Sequence, residues 1–160
     1  MLDDSDIIVS KTDLKGRITY ANRVFMRIAN YPENGLLHQQ HNIVRHPDMP
    51  RGAFKLLWDT IQAKQEFFAY VKNMTAEGHY YWVYANVTPD MDEQGRVVGY
   101  FSVRRKPKPS AIAAIQPVYR EMLEAERQAG PARAVEASVA LLTNKLQSLG
   151  TTYERFILDL

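Results

Sequence analysis

The chain has 160 residues, 46% of them apolar and 24% charged, with a net charge of +2 and no cysteine. This composition suits a soluble globular protein with one domain and room for an appendage. It excludes disulfides, thiolate metal sites, cysteine nucleophiles and the strongly basic surface that nucleic acid favours. The N-terminus Met1-Leu2-Asp3-Asp4-Ser5-Asp6 is acidic, the opposite of a signal peptide. No apolar run approaches the roughly 18 residues of a membrane helix, so a cytoplasmic protein is expected.

Ile7-Ile8-Val9-Ser10 reads as a strand, Asp13-Leu14-Lys15-Gly16 as a turn, and Arg17-Ile18-Thr19-Tyr20 as a second, half-buried strand. Asn22 can cap a helix from Arg23 to Asn30, whose Phe25, Ile28 and Ala29 share one face. Tyr31-Pro32-Glu33-Asn34-Gly35 ends that helix or restarts a very short one. Arg51 to Lys64 reads as an amphipathic helix, with Phe54, Leu57, Trp58 and Ile61 on its apolar stripe. Phe67 to Met74 and His79 to Thr88 are strands joined at Ala76-Glu77-Gly78, a tight hairpin signal. After a longer turn, Pro89 to Gly95, Arg96 to Lys106 is the last strand. Two strands, then helices, then three hairpin-linked strands predict an α+β domain with an antiparallel sheet.

Lys106-Pro107-Lys108-Pro109-Ser110 is a stiff linker. It divides a domain of residues 1–106 from a helical extension, 107–160. Ile112, Ile115, Tyr119 and Met122 are spaced as on one helix. After Gly130-Pro131, Val135, Val139, Leu142, Leu146 and Leu149 follow at alternating steps of four and three, and Tyr153, Phe156 and Leu160 continue the rhythm. That is an a/d seam of roughly three and a half heptads. A homodimer through the C-terminal helices is therefore expected.

The densest polar cluster is His41-Asn42-Ile43-Val44-Arg45-His46-Pro47-Asp48-Met49-Pro50. Its prolines fix φ and push His46 and Met49 towards extended backbone, which suits a site for a polar, anionic ligand. Arg45 can hold a phosphate or pyrophosphate in bidentate fashion. The same stretch carries a resemblance. Asn42 to Pro50 is very similar to the signature of the FAD-binding PAS sensors of aerotaxis receptors. Val71-Lys72-Asn73, Tyr81-Trp82-Val83-x-Ala85-Asn86, and Ile112-Ala113-Ala114 with Pro117-x-Tyr119 resemble that family too. Asp13-x-x-Gly16-x-Ile18-x-x-x-Asn22 and Gly78-x-x-x-Trp82 resemble the PAS fold more broadly. The likeness runs from about residue 7 to 125 and not beyond about 128.

The resemblance implies a five-stranded antiparallel sheet with short helices over one face and FAD between them. The redox state of the flavin would report on electron transport and oxygen, and a signalling partner would receive the change. It implies Arg45, His46, Asp48 and Asn42 about the polar parts of the cofactor, and Asn73 and Asn86 as amides towards the ring. It further implies Trp58 as an aromatic wall and ties Asn22 to flavin retention, beside its simpler role as a helix cap. Phe67 stands where the family carries a tryptophan, while Phe68 and Tyr70 are bulkier than their family counterparts. Phenylalanine packs against a ring but donates no hydrogen bond.

Other functions are weaker. No nucleophile–base pair, paired carboxylates or glycine-rich phosphate loop is legible, so no enzyme is expected. The four histidines, His38, His41, His46 and His79, show no helical ligand spacing for zinc. A haem gas sensor, or a PAS interaction module that is empty or binds a small metabolite, are the alternatives.

Overall fold

The computed structural model describes residues 1–160. In chain order the elements are β1 Ile8–Thr12, β2 Ile18–Ala21, α1 Arg23–Ala29, α2 Glu33–Leu36, a 3-10 turn His41–Val44, α3 Arg51–Gln62, β3 Phe67–Met74, β4 Tyr80–Met91, β5 Val97–Arg105, α4 Pro109–Ala129, α5 Ala134–Ser148 and α6 Tyr153–Leu158. The strands form one antiparallel sheet in the order β2-β1-β5-β4-β3. The expected five-stranded α+β fold is therefore present.

Local chemistry sets the turns. Asp13 accepts from the backbone N–H of Lys15 and Arg17, both at 2.9 Å, and its other oxygen accepts from Arg17 Nε at 3.1 Å. Asp92 repeats the device with Gln94, Arg96 and Arg96 Nε. Each loop thus has its register fixed by one aspartate bonding its own backbone. Asn22 caps α1: its Oδ1 accepts from Phe25 N and Val9 N, and its Nδ2 donates to Ile7 O. The helix ends at Asn30 in the left-handed conformation, φ 57°.

The β4–β5 hairpin is longer than the sequence suggests, because Pro89 lies inside β4. Pro89 pairs with Tyr100 of β5, but β3 begins only opposite Val87. At Pro89 the strand has a neighbour on one side, which tolerates a missing N–H.

On β3 and β4 the faces alternate: Asn73, Val83 and Ala85 turn to the side of α1–α3, and Phe68, Tyr70, Trp82 and Tyr84 turn to the C-terminal helices. On the first side, Ile8, Ile18, Phe25, Leu36, Val44 and Val83 form a fully buried core. On the second, Tyr70 packs with Ile115, Tyr119, Met122, Leu142, Leu146 and Ile157. Each such side chain contributes roughly 1.5–3 kcal/mol when buried. The extension therefore wraps around the β3 edge and does not stand apart.

The exposed carbonyls of that edge are taken up by the extension. Tyr119 Oη donates to Tyr70 O at 2.6 Å, and Tyr153 Oη donates to Phe68 O at 2.9 Å. Burial pushes both phenols up, so they remain protonated donors. An open strand edge is thereby closed.

Two expectations change here. The C-terminal rhythm is broken: Gly150, at φ 64°, stops α5, and α6 starts afresh under the Thr152 cap. The seam is also covered within the chain. Leu142 and Leu146 are 4% and 8% exposed against α4 and the sheet edge, and only Leu149 stands out, at 60%. The apolar stripe that pointed to a homodimer is largely spent on intramolecular packing.

Candidate functional site

A cavity of about 210 Å³ lies between the sheet and the helical side. Its apolar wall comes from α3, where the sequence spacing puts Phe54, Leu57, Trp58 and Ile61 on one stripe. Trp58 meets Tyr100 edge-to-face, with ring centroids 5.5 Å apart. Gly16, at φ 80°, lets the β1–β2 turn approach this wall: a Cβ there would sit 3.2 Å from the Trp58 ring. The sheet supplies Ser10, Val71, Asn73, Ala85, Tyr100, Ser102 and Arg104, and the 3-10 turn and its exit supply His41, Asn42, Val44 and Arg45.

Four of the sequence-predicted residues meet at this cavity: Asn42, Arg45, Trp58 and Asn73. Asn73 is buried on β3 and bridges to Arg45 through the backbone. The Arg45 guanidinium lies 3.8 Å over the Phe54 ring, and burial lowers its pKa against the opposing pull of Glu126.

The other five do not line it. His46 turns away: its Nδ1 accepts from Asp48 N at 3.0 Å, its ring meets Tyr80 edge-on, and its backbone N–H donates to Lys72 O. Burial, helped by Lys72, lowers its pKa and favours that unprotonated nitrogen. Asp48 is exposed and pairs with Lys72 Nζ at 2.7 Å, which holds its carboxyl below the usual range. Asn86 points to the opposite face of the sheet and donates to Glu66. Phe67 is buried in a stack with Tyr153, centroids 5.3 Å apart. Asn22 spends its amide on the α1 cap. Alternation turns Asn86 to the far face of β4, the extended exit from the 3-10 turn carries His46 and Asp48 away, and Phe67 and Asn22 are held by the Tyr153 stack and the α1 cap.

The residue that sequence reasoning missed is Arg104. It is 3% exposed on central strand β5 and lines the cavity. Its Nη1 donates to His41 Nε2 at 2.8 Å and its Nη2 to Ser10 Oγ at 2.7 Å, while its guanidinium lies 4.5 Å over Phe25. Its Nε has no hydrogen-bond partner. Neither Asp nor Glu lines the cavity, so this buried cation has no carboxylate. Burial lowers its pKa to about 10, which leaves it charged at neutral pH. The only sequence signal was alternation, which puts Tyr100, Ser102 and Arg104 on one face of the strand.

His41 opens onto the cavity yet lies deep in the fold, and burial together with Arg104 lowers its pKa to about 3. Ser10 Oγ is 3.0 Å from His41 Nε2, which superficially looks like a nucleophile–base pair. Arginine can only donate, so Nε2 must accept from it. A nitrogen so occupied, on a ring so weakly basic, does not take a serine proton at neutral pH. The trio makes an electropositive corner of the cavity.

No helix is long and apolar enough to cross a membrane, and no cluster of three or more metal-ligating side chains is present.

A family model described as the PAS fold matches residues 18–104. The aerotaxis receptor of Escherichia coli (strain K12) is 40% identical over 121 residues, which covers 76% of this chain and 24% of the receptor. The nitrogen fixation regulatory protein of Klebsiella pneumoniae is 29% identical over 105 residues, covering 66% of this chain and 21% of that protein. The chain thus spans about a quarter of the length of the curated relatives it matches. Among solved structures, the dark structure of the blue-light photoreceptor Aureochrome1 LOV aligns with a TM-score of 0.60 at 18% identity, covering 76% of this chain and 98% of that one. That likeness is one of fold.

Proposed function

Since the chain belongs to the PAS family, we propose that its cavity holds a non-covalent flavin and that the domain is a redox-sensing module of a signalling protein. The observation that carries this reading is Arg104, a buried guanidinium with a free Nε and no carboxylate, facing an aromatic cavity. Such a charge calls for an electron-rich, partly anionic ligand. A flavin offers a flat apolar ring with a polar edge, and its electron count changes with redox conditions.

The residues divide the work. Trp58, Phe54 and Leu57 exclude water from one wall. Arg104, held by His41 and Ser10, sets a positive potential that favours the electron-richer state of a ligand. Asn73 presents a buried amide on β3, and by turning it can offer either its carbonyl or its NH2 group to a ligand edge. The chain has no cysteine, so a thiol adduct has no nucleophile.

FAD is favoured over FMN because Arg45 supplies a second cation, stacked on Phe54 where the cavity meets α3. A guanidinium there suits a pyrophosphate. The proposed role is binding and signalling, not catalysis, in keeping with the occupied Ser10–His41 pair. Purified protein should absorb near 370 and 450 nm. Acid release and chromatography should then yield FAD. FMN as the sole flavin would remove the role given to Arg45, and a Soret band near 410 nm would replace flavin with haem.

A further inference from the structure

Helix α3 is gripped from both sides. One face is the cavity wall; the other is clasped by the C-terminal helices. Its N-terminus follows Pro50, which provides no side-chain cap. The cap comes from α4 instead. Both oxygens of Glu126 accept from the first turn of α3, Oε1 from Arg51 N at 3.0 Å and Oε2 from Gly52 N at 3.1 Å. Glu126 is 8% exposed. A carboxylate at that end also meets the positive end of the helix dipole.

The joint has a second contact. A Cβ on Gly52 would lie 2.1 Å from Ser138 Oγ and 3.2 Å from Met122 Cε. The missing side chain therefore lets α5 close on α3. Ser138 is fully buried there. The route to the cavity is short: one turn beyond these amides, α3 reaches Phe54, which stacks on Arg45, and then Trp58.

We propose that Glu126 is a latch holding the cavity-wall helix to the C-terminal helices, and that this joint passes the state of the cavity to α4 and α5. The transmission half rests on the reading that the cavity holds a flavin. The latch adds an output path through α3, distinct from contacts on the sheet. A small shift of a packed helix is enough to bias two arrangements of a docked element.

The experiment is amide exchange by mass spectrometry on the full chain, with the absorbance spectrum recorded first. In the unmutated protein, dithionite reduction should change exchange over residues 51–62 and 109–148. Glu126→Gln should keep the flavin bands, speed exchange of the Arg51 and Gly52 amides by about tenfold, and abolish most of the redox difference over 109–148. Gly52→Ala, which pushes on α5 instead, should weaken the same difference. Unaltered amides in Glu126→Gln, or a redox difference of full size there, would overturn the latch. A chain without flavin bands overturns the flavin reading alone. The latch is then judged with Trp58→Ala, which disturbs the same wall without a ligand. That change must alter exchange over 109–148 when Glu126 is present and not in Glu126→Gln; an equal response in both rejects the proposal.

Discussion

The two sides of β3 are built on opposite rules. Towards the C-terminal helices, side chains interlock and polar groups find partners: Leu142 and Leu146 fill the seam, and two tyrosines satisfy the strand's carbonyls. Towards α3, the fold leaves a cavity and a buried guanidinium with a free Nε. Close packing with satisfied polar groups is what stability requires. A hole lined with unspent hydrogen-bonding capacity costs stability, and a ligand is the usual compensation.

The contrast breaks most violently at Leu142. Leu142→Asp places a charge in a closed seam and should cost about 4 kcal/mol in denaturant unfolding. Leu149→Asp, on the same heptad rhythm but 60% exposed, should cost less than about 0.5 kcal/mol. Equal effects would mean that the seam faces a second copy after all.

Arg104→Met should act in the opposite sense on stability and ligand. Removing an uncompensated buried charge should leave the flavin-free fold as stable or raise it by about 1 kcal/mol, since Ser10 and His41 can bond each other. Flavin retention should fall on the order of a hundredfold, from the loss of charged hydrogen bonds. A variant that loses stability and keeps its ligand would assign Arg104 to the scaffold.

Arg45→Ala should weaken flavin on the order of ten- to a hundredfold, and Arg45→Lys should rescue poorly because lysine lacks the planar fork. Titration with FAD and with FMN sharpens the comparison: the loss should be greater for FAD.

A further effect is read in pH. His41 has a folded pKa of about 3 against an ordinary 6.5. The unfolded chain therefore takes up a proton that the folded chain refuses. Its contribution is fully present above about pH 6.5 and is lost as pH falls towards 3, by about 1.4 kcal/mol per unit. His41→Gln should flatten that part of the stability profile. An unchanged slope would place the titration elsewhere.

Strand and helix positions were legible because period and turn chemistry agree locally. Phe67–Met74 reads as a strand and is one, and Asn22 reads as a cap and is one. Half of the candidate site was legible for the same reason: Trp58 sits on a helical stripe and Asn73 on an alternating strand. His46 and Asp48 were grouped with Arg45 by adjacency, but extended backbone sends neighbours in different directions. Arg104 was overlooked because Arg104-Arg105 reads as a solvated end, and only tertiary pairing shows β5 to be central. The seam was read as intermolecular because a heptad rhythm does not say whose surface covers it.

The tyrosine hydroxyls that close the β3 edge carry a consequence for anyone who would cut this protein. Ending it at Lys106, where the linker invites a boundary, strips Tyr119 and Tyr153 from the strand and uncovers Tyr70 and Met49. The remainder would carry an adhesive border, prone to recruit another strand. Transplanting this domain onto another protein therefore means moving the three trailing helices with it, or designing a substitute cover of equal fit.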